Sequence, residues 1–138
     1  MNIAIVGATG NVGRKTLEVI EKKGLSFDNL YLVASSNSAG KKIRYREKDY
    51  EVIDLEKFDF SKVKISFFAA GGKISEKFAE KAAKHCLVID NSSYYRMDPD
   101  VPLIVPQVNS NDLNNINKNI IANPNCSTAQ LVITLKPL

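Results

Sequence analysis

The stretch Ile3-Ala4-Ile5-Val6-Gly7-Ala8-Thr9-Gly10-Asn11-Val12-Gly13 decides the fold. Its first four residues form an unbroken apolar run, the pattern of a strand buried on both faces of a parallel sheet rather than one with a solvent side. The glycines then mark a turn. From Val12 to Lys23 the apolar residues Val12, Leu17 and Ile20 follow helical spacing, and Gly24 stands where a C-terminal cap belongs. Leu30 to Ala34 supplies a second strand within a few residues. A strand, a crossover helix and another strand form a βαβ unit, which builds parallel sheets.

The alternation continues along the chain. Lys42 to Leu55 alternates weakly around Glu47-Lys48-Asp49, which fits a short hairpin or an irregular excursion. Val63 to Ala70 reads as a buried strand, Ile74 to His85 as a helix with Ile74, Phe78, Ala82 and Ala83 on one side, and Leu87 to Ile89 as a further strand. Residues 91 to 119, rich in Asn, Ser, Asp and Pro, read as a functional loop region. They are interrupted by Leu103-Ile104-Val105 and a short helix near Asn109 to Leu113. Ile120-Ile121-Ala122 is a strand, and Ala129 to Leu135 a helix. The expected fold is α/β: a Rossmann-like, doubly wound, mostly parallel sheet with helices on both faces.

With 138 residues, 44% of them apolar, the chain suffices for one compact domain with its own core. The 19 Lys and Arg against 15 acids leave a charge of +4, but the cations are dispersed, so no nucleic-acid partner is expected. Strand-like sequence starts at Asn2, leaving no room for a leader, and no apolar run approaches membrane-spanning length. A cytoplasmic protein without a membrane partner is expected. The single histidine, His85, and the two cysteines, Cys86 and Cys126, form no cluster with metal-ligand spacing, so no metal is expected. Cys86, just before Leu87-Val88-Ile89, reads as a core residue.

Position gives the glycines their meaning. Between a first strand and a first helix, Gly7 permits the tight turn, Gly10 lets backbone approach a phosphate, and Gly13 lets the helix pack closely on the sheet. The spacing GxxGxxG is a variant of the dinucleotide fingerprint, and its alternative reading is a tight strand-helix turn alone. At the end of the second strand the chain reads Ala34-Ser35-Ser36-Asn37-Ser38-Ala39-Gly40-Lys41-Lys42. An acidic side chain there would bind the ribose hydroxyls of NAD. None is present, while hydroxyls and two nearby lysines suit a ribose 2′-phosphate, which favours NADP.

At the other end, Asn123-Pro124-Asn125-Cys126-Ser127-Thr128 sets a cysteine between a strand and a helix. Proline and asparagine break the strand, and Ser127 and Thr128 are suited to cap the helix. A thiol there meets unpaired N–H groups and the positive helix end, which stabilise a thiolate, the form that attacks carbonyl carbon. The alternative is a small apolar residue entering a helix.

Together, Gly7-Ala-Thr-Gly-Asn-Val-Gly13, Ala34-Ser-Ser-Asn-Ser-Ala-Gly40, Asp90-Asn-Ser-Ser-Tyr-Tyr-Arg96, Val105-Pro-Gln-Val-Asn109 and Asn123-Pro-Asn-Cys-Ser-Thr128 resemble aspartate-semialdehyde dehydrogenase, in the family's order and over nearly the whole chain. The resemblance implies an NADP site at the glycine turn from Gly7 to Gly13, with Thr9, Gly10, Asn11 and Val12 lining the pyrophosphate. It adds Ser35, Asn37 and Ser38 at the 2′-phosphate, and Ala70 and Gly71 beside the cofactor. Many members carry arginine at the position of Asn37. Further implied are Asn91, Ser93 and Arg96 toward substrate, with Arg96 binding phosphate, Cys126 as the catalytic thiol, and Asn125 orienting the acyl group. The implied reaction is the reversible, NADP-dependent reductive dephosphorylation of aspartyl phosphate to aspartate semialdehyde through a cysteine thioester, in the biosynthesis of lysine, methionine and threonine.

Family members are more than twice this long, so the resemblance also implies that residues 1–138 are the NAD(P)-binding domain of a larger enzyme. The substrate and dimerisation domain, with the histidine acid/base and an arginine for the substrate carboxylate, would lie outside them. The full-length enzyme is expected to be a homodimer or homotetramer, and this piece alone to turn over very poorly. His85 matches no catalytic motif and reads as an ordinary, partly exposed histidine. Two other readings stay open: the related N-acetyl-glutamyl-phosphate reductase, and a stand-alone nucleotide-binding module with an inert cysteine.

Overall fold

A computed structural model describes residues 1–137. Strands β1 (Ile3–Val6), β2 (Leu30–Ala34), β3 (Lys42–Tyr45), β4 (Lys48–Asp54), β5 (Ile65–Phe68), β6 (Leu87–Asp90) and β7 (Ile120–Ala122) form one sheet in the order β3-β4-β2-β1-β5-β6-β7. All neighbours run parallel except β3 and β4, which pair as a hairpin at one edge. The helices are α1 (Asn11–Lys22), α2 (Gly72–Ala83), the short α3 (Pro106–Asn109) and α4 (Cys126–Leu135). This is the doubly wound α/β sheet expected from the first βαβ unit.

The apolar run Ile3–Val6 is fully buried because each face of β1 is covered. Ile3 and Ile5 pack with Leu17 and Ile20 of α1, while Ala4 and Val6 meet Phe78, Ala79 and Ala82 of α2 on the other side. Helix α1 ends as its sequence requires: Gly24 takes φ 64°, and the N–H groups of Gly24 and Leu25 donate to the carbonyls of Glu21 and Ile20 at 3.0 and 3.2 Å. That is a Schellman closure, for which a residue without Cβ is best suited. Val12 departs from the expectation. It faces solvent, and the buried stripe of α1 is Gly13, Leu17 and Ile20.

Several boundaries shift. Strand β5 is shorter than Val63 to Ala70, because Val63 still closes a 3₁₀ turn, its N–H donating to Phe60 O at 3.3 Å, and because the chain turns toward α2 after Ala69, whose N–H donates to Val6 O at 2.8 Å; α2 starts at Gly72 rather than Ile74. Helix α2 ends at Ala83, so His85 lies in the exposed turn before β6. The excursion after β2 resolves as a hairpin whose second strand, β4, continues the parallel sheet beside β2. Segment 101–104 lies along the edge of β7, with N–H of Ile104 donating to Ala122 O at 3.0 Å and N–H of Ala122 donating to Pro102 O at 2.9 Å. The expected short helix after it is α3 followed by a 3₁₀ turn, Ser110–Asn114.

Strand order fixes where a ligand can sit. From β1 the chain winds outward to β2 on one side, and later returns to β5 on the other, so the connections leave β1 and β5 in opposite directions. A crevice opens at the carboxyl ends of strands at such a switch point.

Candidate active site

The crevice has a volume of about 350 Å³ and lies over the carboxyl ends of β1, β2 and β5. Gly7, Thr9 and Gly10 form one wall, Ser35 a second and Ala70 a third, with the apolar Leu55 and Ile74 closing the sides. Glycine is required at two points of this turn. Gly7 has φ 87°, and a Cβ on it would lie 2.6 Å from Ala69 O. A Cβ on Gly13 would lie 2.2 Å from Gly7 O, so α1 and the turn touch through backbone. Gly10 precedes α1 in extended conformation, no side chain caps the helix, and its first turn carries no acid. The unpaired N–H groups and positive end of a 12-residue helix therefore face the crevice mouth, where a phosphate fits. These features accommodate a dinucleotide. Asn11 and Val12 are exposed in that first turn, and Gly71 (φ 86°) leads into α2 beside Ala70.

The loop after β2 contains a 3₁₀ turn, Ser36–Ser38. Ser35 and Asn37 are exposed, Ser38 half-buried, and Ser38 Oγ lies 3.5 Å from Thr9 Oγ1. That contact joins the glycine turn to the loop expected to hold the ribose.

A second cluster stands along the same sheet edge, at the ends of β6 and β7. Asp90, fully buried, accepts from Ser75 Oγ and Ser92 Oγ at 2.7 Å each and from the Ser92 N–H at 3.1 Å. The carboxylate thereby locks the turn that starts at Asn91. Arg96 is held on both sides of the gap between the two strands: Nε donates to Asn123 O at 2.9 Å and Nη2 to Asn91 O at 3.3 Å. Asn123 Nδ2 also donates to Asn91 Oδ1. Ser93 is exposed beside this clamp.

Cys126 is exposed and is the first residue of α4. The cap differs from expectation: Asn125, not Ser127 or Thr128, caps the helix, its Oδ1 accepting from the Ser127 N–H at 2.9 Å. Asparagine fits because it adopts the extended φ and ψ required there, whereas Ser127 and Thr128 are already helical. The same Oδ1 lies 3.7 Å from Cys126 Sγ. Cys86 is the opposite case. Buried against α2, its thiol donates to Ala82 O at 3.4 Å, and burial pushes its pKa up to about 11.

The expected residues thus fall into two groups on one edge. Gly7, Thr9, Gly10, Ser35 and Ala70 line the crevice, with Asn11, Val12, Gly13, Asn37, Ser38 and Gly71 in the same turns but outside its lining; Asn91, Ser93, Arg96, Asn125 and Cys126 stand at β6 and β7. Cys126 follows a strand three ladder spacings from β1, about 14 Å, a distance that a dinucleotide bridges from a pyrophosphate at α1. Not among the expected site residues are Asn123, which ties Arg96 to β7; Ser75, which reaches Asp90 from α2; and Val6, Ala34, Leu55, Ala69 and Ile74, which line the crevice. Asp90 at the close of an apolar run was the available signal for a buried carboxylate. Nothing local marks Ser75 as its partner. Among the described residues no group of His, Cys, Asp and Glu could hold a metal, and no helix is long and apolar enough to cross a membrane.

Residues 2–116 match the family described as semialdehyde dehydrogenase, NAD binding domain. An aspartate-semialdehyde dehydrogenase of Legionella pneumophila is 48% identical over 140 residues, covering 100% of this chain and 40% of that protein. Among solved structures, aspartate semialdehyde dehydrogenase II of Vibrio cholerae complexed with ASA superposes with a TM-score of 0.96 at 48% identity, covering 99% of this chain and 45% of that one. The enzyme of Candida albicans with NADP gives 0.78 at 30% identity, covering 99% and 46%. The chain thus spans about two fifths of the length of the curated relatives it matches. By the family match over most of its length, the chain belongs to the semialdehyde dehydrogenases and carries their NAD-binding domain.

Proposed function

We propose that this chain is the nucleotide-binding part of an NADP-dependent aspartate-semialdehyde dehydrogenase that works through a thioester on Cys126. The observation that carries the reading is an exposed thiol at the first position of α4, on the same sheet edge as the glycine crevice. The crevice residues named above would hold NADP, with Ser35, Asn37 and Ser38 toward the 2′-phosphate. When bound, that cofactor supplies or accepts the hydride.

In the biosynthetic direction the Cys126 thiolate attacks the acyl carbon of aspartyl phosphate; a C–S bond forms and the C–O bond to phosphate breaks. Arg96, fixed by Asn91 and Asn123, keeps Nη1 free of partners among the described residues and so can take up the phosphate that leaves. After reduction at the acyl carbon, the C–S bond breaks, aspartate semialdehyde departs and the thiolate returns. The Asn125 cap holds the backbone that presents the sulfur. Asn91 and Ser93 line the approach. The histidine acid/base, the arginine for the substrate carboxylate and the dimer or tetramer contacts are assigned to a further domain outside residues 1–138, and the pathway to lysine, methionine and threonine in the cytoplasm. Without that domain, turnover would be very poor.

The test is an assay of the intact protein with aspartate semialdehyde or N-acetyl-glutamate semialdehyde, NADP and phosphate. Reduction of NADP is expected with the first substrate and to depend on phosphate. Activity only on the acetylated substrate overturns the reading, as does activity on neither.

A further inference from the structure

We propose that Arg14 holds the 2′-phosphate of the adenosine ribose and thereby carries this protein's preference for NADP. The inference rests on the nucleotide reading above and deepens it. Between Ala34 and Gly40 the loop offers hydroxyls and an amide but no charged side chain. A phosphate monoester with nearly two negative charges gains most from a charged donor of fixed geometry, so the cation must reach the loop from elsewhere.

Arg14 is placed to do so. Standing one turn into α1, it folds back over the glycine turn, with Nε donating to Thr9 O at 3.3 Å. Thr9 in turn places its Oγ1 3.5 Å from Ser38 Oγ. Thr9 alone therefore stands between the guanidinium and the Ser38 hydroxyl of the loop. Arg14 is exposed, no carboxylate pairs with it among the described residues, and its Nη groups have no partner there.

The neighbouring cations are less suitable. Lys15 is engaged by Glu18 at 2.6 Å, Arg44 by Asp49 at 3.5 Å, and Lys42 stands opposite Glu51 across the hairpin. Lys41 touches the loop through its backbone, its N–H donating to Ser38 O at 3.2 Å, but its exposed ammonium is not anchored. A flexible lysine loses more side-chain freedom on binding than an arginine already tied to the turn by one of its nitrogens.

The experiment is calorimetric titration of the intact protein, Arg14→Gln and Lys41→Gln with NADPH, NADH and 2′,5′-ADP. Arg14→Gln is expected to weaken NADPH and 2′,5′-ADP by about tenfold or more while NADH stays within about twofold, the loss of one charge-assisted contact. The unchanged NADH affinity doubles as proof that the variant folds. Lys41→Gln should change the NADPH to NADH ratio by less than about threefold, the scale of a screened surface charge. A wild-type ratio in Arg14→Gln overturns the inference, and so does an equal loss of both nucleotides, which would mean that Arg14 only braces the turn at Thr9. Collapse of the ratio in Lys41→Gln alone gives the role to Lys41. Should the wild-type protein bind neither nucleotide, the dinucleotide reading itself fails; should it bind both equally, there is no 2′-phosphate site and Arg14 has no such role.

Discussion

Replacing Cys126 by alanine in the intact protein is expected to lower kcat by about 10⁴-fold or more, the scale seen when a covalent nucleophile is removed. Nucleotide affinity should stay within about twofold of wild type, because Cys126 lies apart from the crevice and surface changes of this kind cost little. The fold should be untouched for a local reason. The helix is capped by Asn125, whose bond to the Ser127 N–H does not involve the sulfur, and alanine is a good helix former. Steady-state kinetics beside NADPH titration separate the two effects. A variant that keeps activity within about tenfold would exclude a thioester at this position.

Gly13→Ala should have the largest structural effect. The added methyl would sit 2.2 Å from Gly7 O and 2.9 Å from Ala8 Cα, both backbone atoms of the turn that β1 fixes. No rotamer relieves such a clash, so α1 must move away from the turn by about 1 Å to restore ordinary contact. Overpacking of this kind costs about 1–3 kcal/mol or more. Alanine's helix propensity returns at most about 1 kcal/mol against glycine, and the clash wins. We expect Tm to fall by roughly 5–10 °C and nucleotide affinity to fall with it, because the displaced residues are those that would face the pyrophosphate. Thermal melts with and without NADPH measure both. An unchanged Tm would mean that the turn is softer than its contacts imply.

How much of this was legible depends on whether a feature is local. Strand β1 and the crossover to β2 could be read because an apolar run, three glycines and a helical stripe all lie within 34 residues and agree with one another. The hairpin was less legible. Its two-residue turn, Arg46-Glu47, lacks the glycine or asparagine that signals such turns, yet Arg46 adopts φ 52°. Packing supplies a compensation, since the Arg46 guanidinium lies over the rings of Phe27 and Tyr45 at 5.7 and 5.2 Å.

In the candidate site the short motifs located the turns at the strand ends that carry the glycines, serines and cysteine, but tertiary partners were invisible. Ser75 meets Asp90 only because α2 packs beside β6. Asn123 meets Arg96 only because β6 and β7 are neighbours, and no spacing in the sequence encodes that pairing. The cap of α4 was misassigned between adjacent polar residues, all of which have cap propensity, and backbone conformation decided among them.

The most direct test of the central claim compares the two thiols. At pH 7, a pKa of about 11 leaves Cys86 with only about one thiolate in ten thousand, and its sulfur is also buried. Cys126 is exposed at the start of α4. Peptide mapping after timed iodoacetamide treatment is expected to find Cys126 carboxamidomethylated first and Cys86 only once the protein unfolds. Equal rates for the two, or labelling of Cys86 ahead of Cys126 in the folded protein, would contradict a reactive thiol at the sheet edge and leave a nucleotide-binding module with an inert cysteine.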